Sequence, residues 1–138
     1  MSAIASLAPL IGRWATTITM IAPDEQSGEM YRAIDSYRWM PGRRVVMHEV
    51  EARMGDQTVN SLEIYTETDG HVVSRNFDAS GDVSDYRAKM SAGVWMVTGQ
   101  TERFESTSVA PGHIEGLWQR KDDDQWFDWM TVRLERIA

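Results

Sequence analysis

Asp35 and His48 are the pair in this chain best placed for proton chemistry, because they flank Pro41-Gly42, a turn signal between two runs of alternating apolar and polar residues. Read as a two-residue hairpin loop, Pro41-Gly42 pairs Met40 with Arg43. The same register sets Asp35 opposite His48, Tyr37 opposite Val46 and Trp39 opposite Arg44. Directly opposed Cβ atoms lie about 4.5 to 5.5 Å apart, close enough for a carboxylate to accept a hydrogen bond from an imidazole nitrogen. A carboxylate so placed orients the ring and raises its basicity, which suits His48 to move a proton. The pair fits a satisfied polar contact in the core equally well, and both roles stay open.

Arg75 is the second chemical feature. Asp69-Gly70 has the residues of a type I′ turn, which would set Ile64 against Arg75 and Leu62 against Phe77 on one face. The apolar members of that set predict that the face is inward, making Arg75 an interior cation. Such a cation either serves as the electrophilic or anion-binding group of the lumen or pairs with Asp128 or Glu63, since buried charges are normally paired.

Strands must position these groups. Turn chemistry recurs at Pro23 to Glu29, Pro41-Gly42, Gly55-Asp56, Asp69-Gly70, Ala79 to Asp82, Ala92-Gly93, Gly99-Gln100, Ala110 to Gly112 and Lys121 to Asp124. About ten short alternating runs lie between, the even spacing of a sandwich or barrel, and the one short helical stretch is Ser6 to Ile11. Alternation places Trp14, Thr16, Ile18 and Met20 inward, then Val46, His48 and Val50, then Tyr86, Ala88 and Met90, then Phe104, and then Ile114, Gly116 and Trp118. In the last strand Trp126, Asp128, Met130, Val132 and Leu134 share the inward phase. Phe127 and Trp129 then fall outside, where exposed aromatic rings predict either a homodimer surface or cover by the N-terminal segment.

Composition bounds the function. A net charge of −7 and scattered basic residues exclude general nucleic-acid binding. With no cysteine there is no disulfide framework, thiol nucleophile or thiolate metal site. His48, His71 and His113 lie in separate strands or turns, and Asp122 to Asp124 lacks the spacing of a calcium loop, so neither metal nor cofactor is expected. Ser2 to Leu10 is apolar but has no basic flank, and Arg13 ends it too early for a membrane span. A cytoplasmic protein with no membrane partner is expected.

Gly12-x-Trp14 after a short apolar lead, with Arg133 or Arg136 on the final strand, resembles the calycin pattern, in which an Arg from the last strand packs over the Trp that closes one barrel end. Trp39-Met40-Pro41-Gly42-Arg43, Phe77 to Gly81, Tyr86, Trp95, Arg103-Phe104, Trp118, and Trp126 after an acidic turn are similar in order and spacing to the DUF1579 family of lipocalin-like bacterial proteins. The resemblance covers nearly the whole chain. It implies an all-β fold with one lipocalin-like domain over residues 1–138: an antiparallel up-and-down barrel of about ten strands with a short N-terminal helix. Two calycin branches fit less well. The Pro23 to Glu29 turn is too short for the helical lid of fatty-acid-binding proteins, and Arg133-Leu134-Glu135 lacks their Arg-x-Tyr clamp. Ala15-Thr16-Thr17 replaces the glycine-rich continuation of nitrobindin-like haem barrels.

Barrels of this kind carry function in the lumen. Trp14, Tyr37, Trp39, Tyr86, Phe104 and Trp118 are expected to line it and to accept a small hydrophobic or aromatic molecule, with His48 and Arg75 fixing its polar end. The alternative is a cofactor-free isomerase or natural-product cyclase in the same enclosure, with His48, Asp35 and Tyr86 as catalytic groups.

Overall fold

The computed structural model describes residues 2–21 and 28–138, so the turn expected over Pro23 to Glu29 falls largely outside the described residues. A 3-10 helix over Ile4–Leu10 precedes ten strands; it begins two residues before and ends one residue before the helix expected at Ser6 to Ile11, and is wound more tightly than an α-helix. The strands are β1 (Gly12–Met20), β2 (Met30–Trp39), β3 (Val46–Met54), β4 (Gln57–Thr68), β5 (His71–Asp78), β6 (Val83–Ser91), β7 (Val94–Thr98), β8 (Glu102–Ala110), β9 (His113–Asp122) and β10 (Gln125–Arg136). Each pairs antiparallel with its neighbour in sequence, and β1 pairs with β10 to close the barrel. Closure leaves no free sheet edge.

Local chemistry explains the up-and-down order. Asp69 and Gly70 both take positive φ, 52° and 78°, as a type I′ hairpin requires. Ala92-Gly93 repeats that pattern between Ser91 and Val94. The helix closes the end at which β1 begins and β10 ends, burying Ile4, Leu7 and Leu10 in the core cluster with Trp14. The Ile4 amide donates to Glu67 Oε1 at 2.8 Å, which ties the helix to β4.

Three sequence expectations change. The β2–β3 loop spans Pro41 to Arg44, because the Met40 amide bonds the Val45 carbonyl; Tyr37 therefore stands opposite His48, and Asp35 opposite Val50. In β4 and β5 the register is the expected one, Ile64 against Arg75 and Leu62 against Phe77, but the faces are reversed. Glu63, Tyr65, Val72 and Ser74 are buried inside, whereas Arg75 is exposed and bonds Asp85 at 2.8 Å on the outer surface. Third, a bulge between Asp128 and Met130 inverts the phase of β10. Trp129 consequently lines the interior, while Asp128 bonds Gln119 and Trp126 lies under Arg103 at 4.2 Å, both on the outside. The outward Phe127–Trp129 pair that motivated a homodimer is thus absent, although Phe127 remains 38% exposed.

A buried histidine between two carboxylates in the barrel lumen

The barrel is not filled. A cavity of about 440 Å³ runs through its interior. Leu10, Tyr65, Trp95 and Ile114 line it toward the helix, and Ser61, Asn76, Tyr86, Trp118, Trp129 and Met130 line it toward the other end. Two glycines make room for its aromatic wall: a Cβ on Gly116 would lie 2.3 Å from Phe104 Cζ, and one on Gly99 would lie 2.7 Å from Tyr86 Cδ1.

His48 occupies one side of this lumen, 8% exposed. Its Nε2 bonds Asp35 Oδ1 at 2.6 Å and its Nδ1 bonds Glu63 Oε1 at 3.0 Å. The Asp35–His48 contact survives the longer loop because a shift of two residues preserves the face, so the bond runs diagonally across the ladder. Second partners complete the network. Thr16 donates to Asp35 Oδ2, Tyr65 donates to Glu63 Oε1, and Ser74 donates to Glu63 Oε2 at 2.8 Å. Tyr37 stacks on the imidazole with centroids 3.9 Å apart and planes within 9°.

Burial on its own would push His48 toward the neutral form. The hydrogen bonds and charges of Asp35 and Glu63 outweigh it and raise the imidazole pKa from 6.5 to about 9. Burial likewise opposes ionisation of Glu63, but the His48 contact, with Tyr65 and Ser74, holds that carboxyl below its usual range. The site at neutral pH is an imidazolium with both N–H groups donated, flanked by two carboxylates. No ring lone pair faces the lumen, so His48 can act as a base only after giving up one carboxylate. Tyr37 and Tyr65 are raised well above the ordinary phenol value by burial and then by the neighbouring carboxylates, and they stay protonated.

Of the other expected ligand contacts, Tyr37, Tyr86, Phe104 and Trp118 line the cavity with His48. Trp14 does not: it is fully buried beneath the helix, its Nε1 donates to the Leu10 carbonyl at 2.8 Å, and Arg136 covers its ring. Trp39 packs against the core from the end of β2, outside the lining, and Arg75 is on the opposite face of the wall. Tyr86 donates to Glu102 Oε2 at 3.1 Å, and burial followed by the Glu102 charge pushes its phenol up to about 12.

Glu63, Tyr65, Trp95, Glu102 and Trp129 are among the lumen groups that sequence reasoning did not place there. An odd-numbered inward phase in β4 was the available signal, with Glu63 and Tyr65 two residues apart, but Leu62 and Ile64 masked it. Among the described residues no group of three or more His, Cys, Asp or Glu side chains is arranged to hold a metal ion, and no helix is long and apolar enough to cross a membrane.

No family profile matches the sequence, and no curated protein matches it. Among solved structures, an S-type phycobiliprotein lyase from Guillardia theta is similar with a TM-score of 0.55, covering 100% of this chain and 94% of that one at 7% identity. A likeness at that identity is one of fold, and together with the closed ten-strand topology it makes this chain a lipocalin-like β-barrel.

Proposed function

We propose that this barrel binds a small, largely hydrophobic or aromatic molecule in its lumen. The observation that carries the reading is the cavity itself: about 440 Å³ kept clear inside a closed barrel, walled by Tyr37, Trp95, Phe104, Trp118 and Trp129. Small-molecule sites have this size and this mixture of aromatic wall and sparse polar groups. The solved structure with the similar fold is, by its name, a lyase of phycobiliproteins, which is compatible with a ligand-holding barrel here. On the quoted residue pattern we also assign the chain to the lipocalin-like DUF1579 group.

The isomerase or cyclase reading is weaker, because the acid–base role it gives His48 and Asp35 needs a nitrogen that Glu63 and Asp35 already hold. Tryptophan fluorescence during titration with a panel of hydrophobic and aromatic compounds tests the binding reading. Saturable quenching that Trp118→Leu weakens is expected. A flat response across the panel, with no competing heat in calorimetry, would overturn it.

A further inference from the structure

The charge of the lumen specifies its ligand further, on the premise that the lumen is the binding site. Asp35, Glu63 and Glu102 are acidic side chains of the cavity lining, and among the described residues His48 is the one basic side chain in the same lining. Asp35 and Glu63 share that single imidazolium, and Glu102 has none. Among the described residues the only hydrogen bond to the Glu102 side chain is the one from Tyr86. Among the described residues no cation forms an ion pair with Glu102, although Arg120 reaches a ring of the lumen wall. Arg120, opposite Glu102 in the β8–β9 ladder, lays its guanidinium over Trp129 at 4.7 Å, and Arg103 and Lys121 lie on Trp126 outside the barrel.

The wall beside Glu102 is aromatic. Tyr86 meets Trp118 edge to face at 6.4 Å, and Trp118 meets Phe104 at 5.4 Å. We infer that the lumen selects small aromatic cations, protonated arylalkylamines being the simplest class, with Glu102 meeting the ammonium group and Tyr86, Trp118 and Phe104 meeting the ring. An ammonium gains from a carboxylate and from aromatic faces in the same place, and low-dielectric walls strengthen both attractions. A carboxylate ligand of the same shape faces net repulsion. A neutral one gains only the walls.

Calorimetric titration of the intact protein at low salt and pH 7, with naphthylethylammonium, naphthylethanol and naphthylpropionate, decides the matter. The ammonium should bind at least about tenfold more tightly than the alcohol, and the carboxylate more weakly than either. Glu102→Gln, which keeps an acceptor for Tyr86, should erase most of the ammonium's advantage over the alcohol. If the alcohol binds as tightly as the ammonium, charge selection is overturned while lumen binding stands. If none of the three binds, both readings fall. A preference for the ammonium that survives Glu102→Gln overturns the assignment to Glu102, and the ranking by the unaltered protein remains decisive if that variant does not fold.

Discussion

The guanidinium carbon of Arg136 lies 4.3 Å from the centre of the Trp14 ring, joining the last strand to the first across the closed end of the barrel. Its nitrogens also donate to the carbonyls of Ile11 at 2.5 Å, Pro9 at 2.9 Å and Pro111 at 2.8 Å. One side chain thus holds the helix, the helix-to-β1 turn and the β8–β9 turn together. Arg133, the other candidate for this role, pairs instead with Glu135 on the outer surface.

That arrangement predicts a large loss on Arg136→Ala. Hydrogen bonds from a charged donor contribute about 1.5 to 3 kcal/mol each before non-additivity, so a total loss of about 2 to 4 kcal/mol is expected for this half-buried group. Arg136→Lys should recover little, since an ammonium lacks the planar fork. Gly12→Ala should behave similarly for a different reason. Gly12 sits at φ 137°, and a Cβ there would stand 2.2 Å from Arg136 Nη1. Urea unfolding checks all three, and an Arg136→Ala midpoint equal to that of the unaltered chain would contradict the account.

Stability should depend on pH through His48. The folded pKa of about 9 exceeds the ordinary 6.5, so the contribution is complete below pH 6.5 and is lost as pH rises through 9. A shift of that size corresponds to on the order of 3 kcal/mol. Glu63 has the opposite sign: its lowered pKa contributes stability above the ordinary carboxyl value that disappears on acidification. His48→Gln leaves two buried carboxylates without a cation, so that variant should still gain stability as pH falls from 6.5 to 5, where the parent, its His48 contribution already complete, holds level or weakens. Denaturation at a series of pH values measures both trends, and nitrogen NMR should find both ring nitrogens of His48 protonated at pH 7.5. A ring that titrates near 6.5 would contradict the ion-pair geometry.

The parts of the fold that sequence made legible are those governed by local chemistry. Asp69-Gly70 and Ala92-Gly93 mark their turns because the backbone there needs positive φ. Gly12, Trp14 and a terminal Arg mark the closed end because they act as one packed unit. Face assignment failed where interior residues are polar. In β4 and β5 the lumen takes Glu63 and Ser74 to serve His48, so the apolar Leu62, Ile64 and Phe77 are left on the outer wall, against the usual pattern. The β10 bulge is invisible to a period-two reading, and it moved Trp129 from the outer face to the lumen. The Asp35–His48 contact was found with the wrong register only because the loop error was even.

Gly116 offers a way to change the lumen without touching any charged group. It lies on the inner face of β9 opposite Ser106, and a Cβ there would come within 2.3 Å of Phe104 Cζ, 2.5 Å of Phe104 Cε1 and 2.9 Å of the Glu105 carbonyl oxygen. The backbone oxygen cannot retreat without loosening the β8–β9 ladder, so the Phe104 ring must give way. Its open side is the cavity. Gly116→Ala should therefore destabilise by about 1 to 3 kcal/mol, the usual cost of overpacking, and should also weaken binding of any lumen probe as the ring swings into ligand space. Phe104→Leu in the Gly116→Ala background removes the clash and should restore stability in part, a coupling that a double-mutant cycle measures directly. Additive effects of the two substitutions would mean that the ring and the glycine do not compete for the same space.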